Sequence, residues 1–253
     1  MSSPGKPPRT KALLLAGGLG SRLRPLTDRV PKCLVEIGGR PLLEHWFAAL
    51  QAAGVHDVLI NTHHLPEPVR RFLAEKNAAG VRACEACEPV LLGAAGAIAS
   101  QMHWADDADD VLIVYADNLS DLDLAALLQA HRRHGDPMTT LLFHAANPRA
   151  CGIAAMDAAG RIVAFEEKPA QPQSDLANAG VYAVTAAAWR EIAALQAFDI
   201  GYDVLPRFVG RMRGHVHAGY HRDIGDFAAL EAARRDAASG LAIPSNQLTG
   251  TQR

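Results

Sequence analysis

The chain has few of the features that would place it at a glance. It carries four cysteines in 253 residues, and only Cys84 and Cys87 stand close together. A lone Cys-x-x-Cys with no second pair, inside a stretch that reads as a strand, points to reduced thiols in a cytoplasmic protein rather than to a disulfide framework or a zinc site. No apolar run approaches the roughly 18 residues that a membrane helix needs. The net charge of -2 gives no electrostatic case for nucleic acid or a membrane surface as partner. The first nine residues, Met1 to Arg9, are too polar for a signal peptide, and with Ile243 to Arg253 they read as loose tails. There is no internal repeat, and no hexapeptide period that would announce a β-helix. Gly-x-Ser-x-Gly is absent, which counts against the common serine-hydrolase arrangement. Asp106-Asp107-Ala108-Asp109-Asp110 lacks the glycine and glutamate of a calcium loop and reads as a solvated turn. His63-His64 has no adjacent carboxylate and reads as a strand end with one ring buried.

What the chain does have is a 49% hydrophobic fraction, enough for a real core, and one dense stretch near its start. Leu13-Leu14-Leu15-Ala16 is a buried strand by composition. Gly17, Gly18 and Gly20 follow, then Ser21, Arg22 and Arg24. Glycine lets backbone N–H groups approach an oxyanion, and arginine offers a planar fork of donors for phosphate oxygens. The stretch is either a phosphate grip or a plain tight turn. It is not a dinucleotide fingerprint, because Leu23 stands where the third glycine belongs, and it lacks the Gly-Lys-Ser/Thr of a P-loop.

Taken in order, the chain alternates strand and helix. Strands are expected at Ala12–Leu15, Val58–Ile60, Val81–Cys84 and Val111–Tyr115. Helices are expected from Pro41 to Gly54, Pro66 to Glu75, Gly93 to Met102 and Asp123 to His134. This spacing means βαβ units and a mostly parallel sheet. After Met138 the texture changes to short runs at Met138–Ala145, Gly152–Met156, Arg161–Phe165 and Val181–Val184, with a hairpin turn at Asp157–Gly160. A last helix spans Phe227–Ala238, with Asp226 as its cap. The expected layout is therefore a single α/β domain over residues 11–240, with halves at about 11–135 and 136–240, and tails at 1–10 and 241–253.

Several residues sit where chemistry is done. Asp117 follows the apolar strand Val111–Tyr115, at the edge where open sheets bind ligands. It is a candidate hard-oxygen ligand for Mg²⁺, or a turn cap among Asn118, Ser120 and Asp121. Glu166-Glu167-Lys168-Pro169 is either a contact for a sugar phosphate or a solvated charged turn.

The phrase Ala16-Gly17-Gly18-Leu19-Gly20-Ser21-Arg22-Leu23-Arg24-Pro25-Leu26-Thr27, with Pro31-Lys32 after it, resembles the signature of the sugar-1-phosphate nucleotidyltransferases. The resemblance runs from about Lys11 to Ala238. It implies a Rossmann-like nucleotidyltransferase fold with helices on both faces of a mostly parallel central sheet and a small mixed sugar-binding part. It implies Arg22 and Lys32 as catalytic cations, and Leu15, Ala16, Gly17, Gly18, Gly20, Ser21, Glu88, Gly93 and Asp117 around the nucleotide. Asn118, Gly152, Glu167, Lys168 and Asn178 would meet the sugar phosphate, and Asp117 with Asp223 would hold Mg²⁺. The chain departs from the family in Ala116-Asp117, where Gly-Asp is usual, and in Ala94, where a threonine is common.

The implied reaction joins an NTP and a sugar 1-phosphate into an NDP-sugar and pyrophosphate. Glu88 precedes Pro89 where uridylyl and thymidylyl relatives commonly carry glutamine. A carboxylate accepts and never donates, which suits the two adjacent donors of guanine; alternatively Glu88 is a rim residue that never meets the base. The wording around Asp117-Asn118-Leu119 and Cys151-Gly152-Ile153-Ala154 resembles the mannose- or heptose-1-phosphate guanylyltransferase branch, so GTP is the expected nucleotide. A uridylyl- or thymidylyltransferase and a non-catalytic regulatory homologue are the alternatives. The sequence leaves the sugar and the oligomeric state open.

Overall fold

A computed structural model describes residues 8–241 of the chain. The tails expected at 1–10 and 241–253 lie outside the described residues apart from 8–10 and 241, and Thr10 already pairs in the first strand.

In the first half, β1 (Thr10–Leu15) runs through the glycine loop and the hairpin of β2 (Glu36–Ile37) and β3 (Arg40–Pro41) into α1 (Leu42–Ala52). There follow β4 (Asp57–Thr62), α2 (Pro66–Ala78), β5 (Arg82–Cys87), α3 (Gly93–Ser100), β6 (Asp110–Tyr115), β7 (Asn118–Ser120) and α4 (Leu124–His134). The second half opens with four strands, β8 (Met138–His144), β9 (Gly152–Met156), β10 (Ile162–Glu167) and β11 (Leu176–Thr185). It closes with α5 (Ala186–Ala194), α6 (Leu205–Phe208), β12 (Met212–Val216), β13 (His221–Asp223) and α7 (Phe227–Ala238).

The local chemistry explains the boundaries. Asp123 starts α4 by accepting from the Ala126 N–H at 3.0 Å, and Gly135 ends it at φ 69°, which glycine adopts without strain. Asp226 caps α7 through Ala229 N–H at 2.8 Å, as its position suggested. Thr185 caps α5, an alanine-rich helix with no expectation from the sequence.

The strands assemble into one nine-stranded sheet with the order β10-β9-β11-β6-β1-β4-β5, extended by β8 and β12. The β6-β1-β4-β5 ladder is parallel throughout, and the antiparallel strand pairs of this sheet all involve β9, β10 or β11. Along β1, side chains alternate between two cores. Ala12 and Leu14 pack with Trp46 of α1, Leu73 of α2 and Leu127 of α4. Leu13 and Leu15 pack on the other face with Ile98 of α3 and Trp189 of α5. A strand buried on both faces needs a continuous apolar run, which is why Leu13-Leu14-Leu15 is apolar throughout. A third cluster joins Leu230 of α7 to Leu23, Ile37, Leu42 and Ile224, tying α7 to the short turn that follows the glycine loop.

Two segments differ from expectation. Strand β10 continues through Glu167, so Glu166 and Glu167 lie in a strand rather than in the turn after it. Asn178-Ala179-Gly180 lies within β11 rather than ahead of it, at an irregularity between Asn178 and Tyr182. Among the described residues no helix is long and apolar enough to cross a membrane.

Candidate active site

The glycine loop leaves the C-terminal end of β1, between its parallel neighbours β4 and β6, where open sheets present their ligand crevice. Its backbone is held from behind. Ala16 N–H donates to Asn61 Oδ1 at 2.7 Å. A Cβ on Gly17 would lie 2.8 Å from Asn61 Nδ2, whereas one on Gly18 would meet nothing within 4 Å. Gly20 stands at φ 61° against the Thr27 methyl, and the Thr27 hydroxyl donates to Gly20 O at 2.8 Å. The loop is thus packed on one side and open at Gly18, beside Leu15, Ala16, Lys32 and Asp117, which line a small cavity of about 20 Å³. Ser21 starts the short helical turn that follows and is exposed.

Two distant aspartates meet beside this loop. Strand β13 pairs with β7 so that Asp223 lies opposite Asn118, and Ile224 N–H donates to Asp117 O at 3.1 Å. Lys32 Nζ sits 2.5 Å from Asp117 Oδ2 and 3.7 Å from Asp223 Oδ1. Gly225 leaves the space in which Asp223 and the Arg22 guanidinium converge: a Cβ there would lie 2.9 Å from Asp223 Oδ2 and 3.1 Å from a guanidinium nitrogen. Burial, and then the Asp117 charge, push the Asp223 carboxyl above its ordinary range, against the pull of Lys32 and Arg22. Two adjacent hard-oxygen donors of like charge fit a divalent cation. Among the described residues no group of three or more His, Cys, Asp or Glu could hold one alone. Mg²⁺ ordinarily takes one or two carboxylates and completes its shell with phosphate oxygens and water, so the pair fits that ion.

Next to the aspartates opens a cavity of about 310 Å³ between β6, β9, β10 and β11. Its polar wall contains Glu167, Lys168, Asn178, Asn118 and Asp199. Glu167 is cleared by glycine on two sides. Its Oε2 occupies the place of a Gly152 side chain, and a Cβ on Gly201 would lie 2.5 Å from the same oxygen. Among the described residues no donor hydrogen-bonds this carboxylate, and Lys168 Nζ stands 4.0 Å away. Burial raises the Glu167 carboxyl above its usual range, Lys168 lowers it, and Asp199 raises it further. Lys168 itself sits at φ 49°, an uncommon conformation for lysine, at the mouth of the cavity.

The two asparagines are braced by the fold. Asn178 Oδ1 accepts from Gly180 N–H at 3.1 Å and from Thr140, while its Nδ2 donates to the Tyr182 hydroxyl at 2.7 Å. Asn118 Nδ2 donates to Ala179 O at 2.9 Å. Both still line the cavity, and both hold the bend at Gly180, whose φ of 69° and contacts with Tyr115 exclude a side chain.

Two expected nucleotide contacts are placed differently. Glu88 is 4% exposed. Its Oε1 accepts from Asn61 Nδ2 at 2.8 Å and its Oε2 from Leu92 N–H at 3.1 Å, so the carboxylate that was to offer guanine an acceptor pair is turned inward. Gly93 opens α3 at φ 76° with the Phe198 carbonyl pressed where a Cβ would be, which accounts for the glycine by packing alone.

The residues missing from the sequence reading are Asn61, Asp199, Gly201 and Gly225. Asp199 starts the wide helical turn Ile200–Val204 by accepting from Tyr202 N–H at 2.8 Å. Its Asp-x-Gly spacing was the available signal.

The profile of the family described as nucleotidyl transferase matches residues 11–240. Among curated relatives, a mannose-1-phosphate guanylyltransferase of Mycobacterium tuberculosis is 32% identical over 243 residues, 94% of this chain and 67% of its own length. The mannose-1-phosphate guanylyltransferase catalytic subunit beta of Danio rerio is 33% identical over 222 residues, 85% of this chain and 61% of its own length. The chain thus spans about two thirds or less of the relatives it matches. A solved structure named as a glucose-1-phosphate thymidylyltransferase of Bacillus anthracis, in complex with sucrose, superposes with a TM-score of 0.80. It covers 90% of this chain and 95% of that one at 23% identity, which bears on the fold alone.

Proposed function

This chain belongs to the nucleotidyl transferase family, and from that premise we propose that it transfers a nucleotidyl group from an NTP to a sugar 1-phosphate. One observation carries the reading. The glycine loop, Arg22, Lys32, Asp117 and Asp223 converge at one end of a cavity whose other end presents Glu167 and Lys168. A phosphate grip and a polyhydroxy-phosphate pocket share a wall.

An oxygen of the sugar phosphate attacks the α-phosphorus of the nucleotide. The bond from that phosphorus to the bridging oxygen breaks, and pyrophosphate leaves with the electron pair. The attacking oxygen is already ionised, so no general base is needed, and positioning with charge neutralisation does the work. Arg22 and the loop amides hold the triphosphate and take up charge on the leaving group. Lys32 exchanges its carboxylate partners for phosphate oxygens. Lys168 pairs with the acceptor phosphate, and the unmatched Glu167 carboxylate accepts from sugar hydroxyls. Mg²⁺ on Asp117 and Asp223 would supply Lewis-acid withdrawal of charge from the α-phosphate.

GTP with a mannose- or heptose-type 1-phosphate is the proposed pair, and a cytoplasmic setting suits both substrates. The names of the curated relatives support guanine. Glu88 does not add to that support, because its oxygens are engaged within the protein. A uridylyl- or thymidylyltransferase is therefore the competing reading. Pyrophosphate release, measured for GTP, UTP, dTTP, ATP and CTP against a panel of sugar 1-phosphates with Mg²⁺, tests the proposal. GTP with mannose 1-phosphate or a heptose 1-phosphate should lead. Preference for UTP or dTTP would overturn the base assignment, and no release with any pair would overturn the transfer reaction.

A further inference from the structure

The end of β4 carries the run Asn61-Thr62-His63-His64, to which the reaction above gives no part. Each of these residues is tied to a segment around the nucleotide side of the site. Asn61 is 5% exposed and Glu88 4%. Between them runs a short hydrogen-bond chain: Ala16 N–H to Asn61 Oδ1 at 2.7 Å, Asn61 Nδ2 to Glu88 Oε1 at 2.8 Å, and Leu92 N–H to Glu88 Oε2 at 3.1 Å. Thr62 O accepts from Glu88 N–H at 2.7 Å, and the His63 ring donates through Nδ1 to Glu88 O at 2.8 Å. The His64 ring donates through Nε2 to Thr27 O at 2.8 Å, behind the glycine loop.

The polarity of this chain is fixed at both ends. The Ala16 and Leu92 amides can only donate. Asn61 must therefore turn its oxygen to Ala16 and its nitrogen to Glu88, and residue 88 must accept twice. A carboxylate meets that demand and an amide does not. Among the described residues no cation pairs with Glu88, so this buried charge is held by hydrogen bonds alone. Burying an ion without a counter-ion is costly, which sets Glu88 apart from a chance rim residue.

We propose that Asn61 and Glu88 form a positioning couple. Its donor–acceptor order holds the glycine loop against the 88–92 segment, and it sets affinity for the nucleotide without reading the base. The inference rests on the reading of the loop as a nucleotide site.

An exchange of the two functional groups tests it. Asn61→Asp sets two carboxylates against each other. Glu88→Gln sets an amide N–H₂ against a donor, whichever way either amide is flipped. The double variant Asn61→Asp/Glu88→Gln keeps the net charge and restores every pairing: Ala16 N–H to Asp, the Gln N–H₂ to Asp, and Leu92 N–H to the Gln oxygen. Equilibrium titration with GTP, UTP and dTTP, alongside thermal melting, should show each single variant losing about ten- to a hundredfold in nucleotide affinity, the scale of one unmatched buried donor. The double variant should recover most of that loss, and the order of the three nucleotides should be the same in all.

A Glu88→Gln protein that keeps its affinity but reorders the nucleotides would overturn the inference in favour of direct base reading. So would a double variant that regains its melting temperature and not its affinity, which would make the couple structural only. If the single variants do not fold, the double variant decides by itself: affinity within a few-fold of wild type supports the couple, and loss of binding overturns it. Failure of the wild-type protein to bind any of the nucleotides would instead count against the transfer reading, and is seen before any variant is made.

Discussion

The two sides of the site are made by opposite means. On the proposed nucleotide side the backbone is pinned by side-chain hydrogen bonds, from the buried Asn61 on Ala16 and the buried Thr27 on Gly20, and from the half-buried His64 on Thr27. The cavity at Gly18 is only about 20 Å³. On the proposed sugar side a cavity of about 310 Å³ is made by leaving side chains out, at Gly152, Gly180 and Gly201, and among the described residues no donor reaches the Glu167 carboxylate. The contrast matches what each side is proposed to hold. A triphosphate is the same in every nucleotide and is best met by a rigid backbone prepared in advance. A sugar differs from its isomers in the direction of its hydroxyls, and is discriminated by shape and by acceptors that only the right hydroxyl satisfies.

The largest effect is expected at the seam between the sides. Asp223→Ala should lower turnover on the order of 10²–10³-fold, the usual cost of removing a group that stabilises transition-state charge. It should not lower the melting temperature, because Asp223 is held above its ordinary pKa by burial and by Asp117 and is therefore better off neutral in the fold. Steady-state pyrophosphate release at saturating substrates and a thermal melt check both halves of that statement. Asp117→Ala should match the loss of turnover but cost stability as well, since it takes from Lys32, whose side chain is 11% exposed, the nearer of its two carboxylate partners.

Substitutions confined to one side should then separate cleanly. Arg22→Ala is expected to weaken nucleotide binding and Lys168→Ala sugar 1-phosphate binding, each by about ten- to a hundredfold for a lost charge-assisted contact. Titration of each variant with each substrate gives four affinities. Equal losses in both columns would mean that the sides are one site and the contrast is false. Gly201→Ala sharpens the same contrast by refilling space: its Cβ would lie 2.5 Å from Glu167 Oε2 and 3.0 Å from Glu167 Cδ. Displacing that carboxylate should cost about tenfold in sugar 1-phosphate affinity, while nucleotide titrations stay at the wild-type value.

The sequence shows the nucleotide side more plainly than the sugar side, for the same physical reason. Leu13-Leu14-Leu15 and Gly17-Gly18-x-Gly20 are consecutive, and a buried parallel strand followed by a ligand loop leaves a local pattern. Asp117 is visible because it ends an apolar strand. Asp223 came only through the family resemblance, because β7 and β13 are three residues each and carry no period. Asp199 and Gly201 reach the cavity through a single wide turn, Ile200–Val204, where no repeat announces them. Glu88 shows a further limit. Its position beside the loop was legible, but its direction depends on Asn61, which the parallel pairing of β4 with β5 brings beside it.

The smallest effect, and the most specific to the sugar side, concerns proton binding at Glu167. Burial raises its carboxyl above the ordinary range, Lys168 works against that, and Asp199 adds to it. The folded protein therefore holds a proton on Glu167 at pH values where the unfolded chain has released it. Stability from this group is present below the raised value and declines as the pH rises through it. Sugar binding should run the other way. The ionised carboxylate is the better acceptor for hydroxyls, so affinity for the sugar 1-phosphate should weaken as the pH falls from neutral into the mildly acidic range. Glu167→Gln removes the titration from both measurements. The acid-side gain in melting temperature and the acid-side loss of sugar affinity should each shrink, by a few-fold or less in affinity, relative to wild type at the same pH. Because the sugar phosphate titrates identically against both proteins, the difference between them isolates Glu167. If the two proteins show the same pH profile for sugar binding, the Glu167 carboxylate does not face the sugar, and the unmatched acceptor that distinguishes this side of the site has another use.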